Sequence, residues 1–386
     1  MVEPQFAKPS DTLGEAGTSI WTAEQVGRIA LGPGHVAPLI READFARISP
    51  QLDVWDAWPL QDPGGRAIEL GAGRTLWMAL AAPRRSDPDE RHGLARIHLF
   101  QRDAAGWHHL GPALPRDFSP GSREWSGCAV ADDDGCALTV YFTATGVRGE
   151  SELTFKQRLF SARATILRDD AVLGLAEWRD LAEVVEREPR WYMASDAGTG
   201  RVGTIKAFRD PAYFRDPRTA KHYLLFAASS AASSSAFNGV VGAAVPGGPR
   251  SERWRILPPL LSADGLNNEL ERPHVVRHRD LYYLFWSTQS HVFDPEGPIG
   301  PTGLYGMVSD RIDGGWQPLN GSGLVFANPP EAAAQAYSWL VLGDLSVISF
   351  VDNWGQEPAA MPRRFGGSFA PTLRLRLDGA EAALEL

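Results

Sequence analysis

Five stretches of apolar, β-branched and aromatic residues recur along this chain at intervals of roughly sixty to eighty residues, and that long period is the strongest constraint on its fold. They are RTLWMALAAP at 74–83, LTVYFTATG at 138–146, HYLLFAASS at 222–230, YYLFWSTQS at 282–290 and LSVISFVD at 345–352. Roughly ten to twenty residues before each lies a motif rich in aromatic or charged residues: VWDAWP (54–59), EWSG (124–127), FRDP (208–211), ELERP (269–273) and AYSW (336–339). Between them 39 glycines and 29 prolines punctuate the chain at intervals suited to short strands and turns. The pattern predicts an all-β fold, and five repeats predict a five-bladed β-propeller over residues 1–386. The first strand of each propeller blade lies nearest the axis, so five motifs at one phase would converge on a central pocket. A two-sheet sandwich is the competing arrangement, in which the recurrent strand marks apolar core and the motifs scatter. Helical periodicity is confined to 21–31, within an N-terminal wrap over 1–50, and to 171–187.

Charge and composition narrow the partners. A formal net charge of -9 and no basic stripe argue against nucleic acid, whose binding rests on clustered Lys and Arg. No apolar run is long enough for a membrane span. MVEPQFAKPSDTLGEAG has no basic segment followed by an apolar one, so no secretory leader is expected there, and the compartment is left open. Cys128 and Cys136 flank Asp132-Asp133-Asp134-Gly135 and could face each other across a hairpin, but two cysteines make no disulfide framework. None of the nine histidines joins them at zinc-site spacing.

Several patterns are rejected on context. Gly198-Thr199-Gly200-Arg201-Val202-Gly203 has the letters of a dinucleotide fingerprint, yet the residues after it read as strand, and that motif needs a helix N-terminus facing the pyrophosphate. The Asp132–Gly135 run lacks the ligand spacing of a calcium loop and reads as a hairpin turn. His108-His109 reads as surface strand, and the Ser-rich 229–235 as a loop.

Three carboxylates stand out. Asp56 sits between Trp55 and Trp58, where aromatic faces suit a sugar ring and a carboxylate can meet an anomeric carbon; its bland reading is a turn residue before Pro59. Glu269 and Glu271 flank Leu270, and strand alternation predicts both on one face with Arg272 on the other. Two adjacent carboxylates repel, which keeps a proton on one of them near neutral pH, as a general acid requires. Asp210 follows Arg209 in FRDP, and a near-copy at Phe214-Arg215-Asp216-Pro217 follows at once. Asp210 is favoured because its distance to the HYLLF strand matches the phase of the other motifs.

Taken in order, these motifs make the chain resemble glycoside hydrolase family 68, which comprises levansucrases, inulosucrases and related bacterial β-fructofuranosidases. The resemblance runs from about Trp21 to Leu377, through VWDAWPLQD, EWSG, FRDP, ELERP, GPTGLYG at 300–306, NGSGLV at 320–325, AYSW and APTLRLRL. It implies a five-bladed propeller with a central funnel-shaped active site. By that likeness Asp56 is the nucleophile, Asp210 the transition-state stabiliser and Glu271 the acid/base. Trp55, Trp125, Ser126 and Arg209 match residues of the fructosyl subsite, and Glu269, Arg272, Gln289 and Tyr337 the neighbourhood holding the glucosyl part of sucrose or an acceptor. The implied reaction is retaining, by way of a covalent fructosyl enzyme, with the two carboxyls about 5–5.5 Å apart. No cofactor is implied; the partners are sucrose and fructosyl acceptors.

Two departures bear on expectation. Gln289 falls where the family carries an Arg or His associated with chain lengthening, which predicts hydrolysis and short fructooligosaccharides over long levan; a one-residue slip near 287–296 would give His291 that role. Asn268 falls where Gram-positive members have a calcium-binding Asp, so no structural metal is expected. Levan synthesis and a non-catalytic sugar-binding propeller are the alternatives.

Overall fold

The computed structural model describes residues 17–169, 172–197, 205–248, 253–353 and 364–385. The chain is all-β, with helices no longer than one turn among these residues. It winds through five antiparallel groups whose first strands are Leu52–Gln61, Arg123–Ala131, Phe208–Arg215, Glu271–His278 and Ala336–Val341. Each first strand pairs with the apolar strand that follows it: Thr75–Pro83, Ala137–Thr145, His222–Ser229, Leu281–Thr288 and Ser346–Asn353. Those second strands are the repeat seen in the sequence. They read as continuous apolar runs because they are buried on both faces, as Leu281–Thr288 is over all but its first residue.

The first three groups join into a 13-stranded sheet through short parallel pairings, Leu60 and Gln61 beside Ala129 and Val130, and Trp254 beside Val185. The last two groups are five-stranded sheets. The first strands pack on one another in chain order, and the fifth packs back on the first. Between the sheets lie the largest buried side chains, among them Trp58, Phe142, Phe226, Trp286 and Trp339.

All five first strands lose register at the same phase. The pairing slips between Trp55 and Trp58, Trp125 and Gly127, Arg209 and Ala212, Glu271 and His274, and Tyr337 and Leu340. In four of the five the bulged residue is in the left-handed region: Asp56 at φ 50°, Asp210 at 60°, Arg272 at 48° and Ser338 at 62°. Such conformations cost on the order of 1–3 kcal/mol each for a non-glycine residue. In the EWSG motif the residue after the bulge has to be glycine, because a Cβ on Gly127 would stand 1.9 Å from the Tyr141 carbonyl oxygen.

One expectation is corrected, and a question the sequence left open is answered. Residues 173–185 form a strand, Leu173–Val185, not a helix. Bulges at Glu177 and Asp180, both at positive φ, break the two-residue alternation and leave the apolar residues at helix-like spacing. Cys128 and Cys136 are both unpaired with each other: the hairpin closes at Ala131 and Leu138, so Cys128 faces Tyr141 while Cys136 lies in the turn. The Gly198–Gly203 motif lies outside the described residues.

The N-terminal segment staples the groups together. Ser19–Ile20 adds a parallel pairing to Leu261 and Ser262. A single turn, Ala23–Val26, follows, capped by Thr22 and Gln25 reciprocally. Trp21 is buried edge-on against Trp286, with Phe293 and Tyr305 beside it, and its indole N–H donates to the Ser322 carbonyl at 2.9 Å. Val36 bridges to Ala327, and Arg47 donates to Asp53 and to the carbonyls of Phe365 and Gly366. Replacing Trp21 with Ala removes this plug at a cost of about 3–5 kcal/mol; thermal unfolding followed by circular dichroism should show a lower melting temperature with an unchanged native spectrum.

Candidate active site

The bulges decide which side chains meet. A regular strand shows every second residue to one side, whereas these strands turn consecutive residues into a single cavity of about 1920 Å³. Its wall includes Trp55 and Asp56, Trp125 and Ser126, Arg209 and Asp210, Glu269, Glu271 and Arg272, and Tyr337 and Ser338. All five sequence motifs thus contribute. Gln289 and His291 line the same cavity, both on the short turn after the Leu281–Thr288 strand.

Asp56 accepts a hydrogen bond from Ser126 Oγ at 2.5 Å, which fixes its carboxylate from the neighbouring first strand. Glu271 accepts from Arg209 Nη2 at 2.7 Å and from the Tyr337 hydroxyl. Asp210 accepts from the Arg272 backbone N–H at 3.3 Å, and its own N–H donates to Thr143 Oγ1 at 2.9 Å. Arg209 lies within 3.7 Å of Asp210, 3.6 Å of Glu269 and 2.7 Å of Glu271, with its guanidinium 6.0 Å from the Trp125 ring centre. One buried cation therefore serves three carboxyls.

Arg272 departs from the alternation expected of it. The bulge turns its side chain into the centre, where it donates to Ser338 O and Oγ at 3.2 and 3.1 Å and to the Ala57 carbonyl at 2.7 Å. His274 holds this bend. The Val341 N–H donates to its Nε2 at 2.9 Å, so Nδ1 carries the proton and donates to the Arg272 carbonyl at 2.8 Å. Burial, chiefly, pushes the imidazole down to about 4, which keeps it neutral.

Crowding of acids in a buried site raises proton affinity. Burial, opposed by Arg209 and reinforced by Glu271 and Asp56, pushes Asp210 up to about 7. In the Glu269–Glu271 pair the carboxyl that rises is Glu269, through burial first and the Glu271 charge second. Glu269 and Asp210 are the more enclosed members of the acidic group.

Other residues of the site were not legible in the sequence. Arg91 and His92 bring a second layer beside Trp55, with the Arg91 guanidinium 5.5 Å from the Trp55 ring centre and 4.1 Å from that of Phe365. The His92 carbonyl accepts from the Trp125 indole at 3.2 Å. Asp352 also lines the cavity and ends the fifth recurrent strand, where its place in LSVISFVD was the available signal. Asp216, the rival to Asp210, accepts from Tyr282 OH at 2.6 Å and from Thr219 and closes a turn away from the cavity.

The chain matches the levansucrase/invertase family model of glycoside hydrolase 68 over residues 12–240 and 230–386. It belongs to that family. Levansucrase LscB of Pseudomonas savastanoi pv. glycinea is 30% identical over 388 residues, which cover 90% of this chain and 86% of the relative. A levansucrase of Rahnella aquatilis is 29% identical, over 95% of this chain and 94% of its own. Among solved structures, the inulosucrase of Halalkalicoccus jeotgali bound to kestose superposes with a TM-score of 0.87 at 34% identity, covering 95% of each chain. The β-fructofuranosidase of Microbacterium saccharophilum K-1, at 23% identity and a TM-score of 0.86 over 99% of this chain and 86% of its own, shares the fold.

Membership in the glycoside hydrolase 68 family leaves the site's electrostatics to be tested directly. Glu269 binds its proton up to about 8 in the folded chain and only to the ordinary carboxylate range, near ~4.3, when unfolded. Its contribution to stability is full below the unfolded value and is lost as pH rises through the folded one. Glu269→Gln, which mimics the protonated carboxyl, should therefore gain melting temperature over the wild type as pH rises from 5 to 8.5; a difference independent of pH would show that Glu269 is ionised in the folded chain throughout.

Proposed function

We propose that this protein is a retaining, sucrose-cleaving fructosyl enzyme, a β-fructofuranosidase that also transfers fructosyl groups to short fructooligosaccharides, acting in a five-bladed propeller that forms one catalytic unit over residues 1–386. The observation that carries the reading is the convergence of Asp56, Asp210 and Glu271 from three different first strands on one cavity, each held by its own hydrogen bonds. The propeller is supported by the cyclic packing of the five first strands and by their common bulge.

In this reading Asp56 attacks the anomeric carbon of the fructosyl unit while Glu271 gives its proton to the glycosidic oxygen, and glucose leaves. The fructosyl group stays esterified to Asp56. Glu271, now a carboxylate, takes a proton from water or a sugar hydroxyl as that oxygen attacks the same carbon and Asp56 departs. Ser126 orients the nucleophile; Arg209 and Tyr337 orient the acid/base. Asp210 grips fructosyl hydroxyls, for which a buried carboxyl tied to the Arg272 N–H is suited. Four carboxyls facing two guanidinium groups keep protons in the cluster near neutral pH, which is the supply the acid step draws on. Trp55 and Trp125 offer the apolar ring faces of the fructosyl subsite. Glu269, Arg272, Gln289 and Tyr337 border the space for the glucosyl part or the acceptor, and a cavity of about 1920 Å³ leaves room for acceptors larger than water. No step calls for a cofactor or metal.

Incubation with sucrose, with glucose, fructose and oligomers quantified over time, tests this. Glucose in excess of fructose with short oligomers is the expected result; equal release would make the protein a plain β-fructofuranosidase, high polymer a levansucrase, and no release a sugar-binding protein. Asp56→Asn and Glu271→Gln should each lower kcat at least ~10³-fold with the circular dichroism spectrum intact, and near-wild-type turnover in either would sink the assignment. Gln289→His should lengthen the product distribution in a chromatographic profile, and an unchanged profile would move that role to His291.

A further inference from the structure

Lys206 belongs to none of the sequence motifs, yet its buried ammonium spends its three donors on three oxygens: the Ala236 carbonyl at 2.5 Å, Asn238 Oδ1 at 2.9 Å and Asn268 Oδ1 at 2.7 Å. The backbone beside it is tied as well. Its carbonyl accepts from Gln157 Nε2 at 2.9 Å, and Asn268 Nδ2 donates to the Ile205 carbonyl at 3.4 Å. Residues 205–207 and 267–270 lie just before the strands that carry Asp210 and Glu271. The ammonium is thus a strut between the segment leading into Arg209 and Asp210 and the segment holding Glu269 and leading into Glu271.

Enclosing an ammonium is costly, and an apolar side chain would fill the same volume without that cost. Burial lowers the proton affinity of Lys206, and the Glu269 carboxylate opposes this. Glu269 in turn faces Glu271, Arg209, Asp210, Lys206 and the Tyr337 hydroxyl. We propose that Lys206 is a positioning residue of the active site, a built-in cation that sets the Arg209–Asp210 segment against the Glu269–Glu271 segment. The proposal rests on the fructosyl-transfer reading for its kinetic readout alone.

The test uses Lys206→Met and Lys206→Gln in the full chain. Both should lower kcat on sucrose at least ~10-fold, with KM changed less, since small displacements of reacting groups are expensive. In both, the Glu269 carboxyl, followed without substrate by carbon-13 NMR of glutamate-labelled protein, should titrate about one pH unit or more higher, because a neighbouring cation favours the charged form. An unmoved Glu269 titration together with kcat and KM within twofold of wild type would overturn the proposal. Should Lys206→Met fail to fold, Lys206→Gln, whose amide keeps donors towards the same oxygens, decides alone, and wild-type behaviour in it overturns the proposal. If the wild type releases no glucose from sucrose, the functional reading falls by itself, and the Glu269 titration still decides the role of Lys206.

Discussion

A straight strand cannot deliver two neighbouring side chains to one cavity, and that restriction shapes the whole centre of this molecule. Five first strands run side by side, and each breaks its pairing at the same step. The break turns Trp55 and Asp56, Trp125 and Ser126, Arg209 and Asp210, Glu271 and Arg272, and Tyr337 and Ser338 inward as consecutive pairs. Left-handed backbone at four of these positions is a local cost that the double-sided burial of the second strands offsets. His274 shows how the offset works in detail: a neutral imidazole joins the Arg272 carbonyl to the Val341 N–H and so pins one bend to the next group.

The second constraint is electrostatic. Four carboxyls, of Asp56, Asp210, Glu269 and Glu271, crowd the space around Arg209 and Arg272, and crowding of this kind raises proton affinity where burial is deepest. Arg209 is shared three ways, Asp210 is raised, and Glu269 is raised with it. In the proposed chemistry this shortage of positive charge is useful, since an acid that has lost its proton can regain one locally and a nucleophile fixed by Ser126 stays aligned.

The sequence carried more of this than its low helical content would suggest, because its signals were of the kind that survive burial. Apolar, β-branched and aromatic runs marked the second strands, and the aromatic and charged motifs marked the first. What misled was the bulge. At Glu177 and Asp180 it mimicked helical spacing over 173–185, and at Arg272 it reversed the face predicted by alternation. Both errors share one physical source, a non-glycine residue in the left-handed region, a conformation that glycine signals far more strongly than any other residue. Arg91 and His92, in the single helical turn Arg91–Leu94, and Lys206, in a loop, reach the site or its supports from segments too short for any periodicity to be read, and only the tertiary fold brings them there.

The stapling of the N-terminal segment has a consequence for how the chain is made. Gly34 accepts from the Leu384 N–H, Val36 pairs with Ala327, and Arg47 holds the carbonyls of Phe365 and Gly366. These contacts join residues far apart in the chain, so residues 34–47 stay unstapled until residues 327–384 have been made. Closing loops of that length carries a large entropic toll and slows folding. Until residues 286–322 are made, Trp21 has no socket to fill, and the earlier sheets keep bare edges, which is where a nascent chain of this design is most exposed to aggregation and most dependent on chaperone cover.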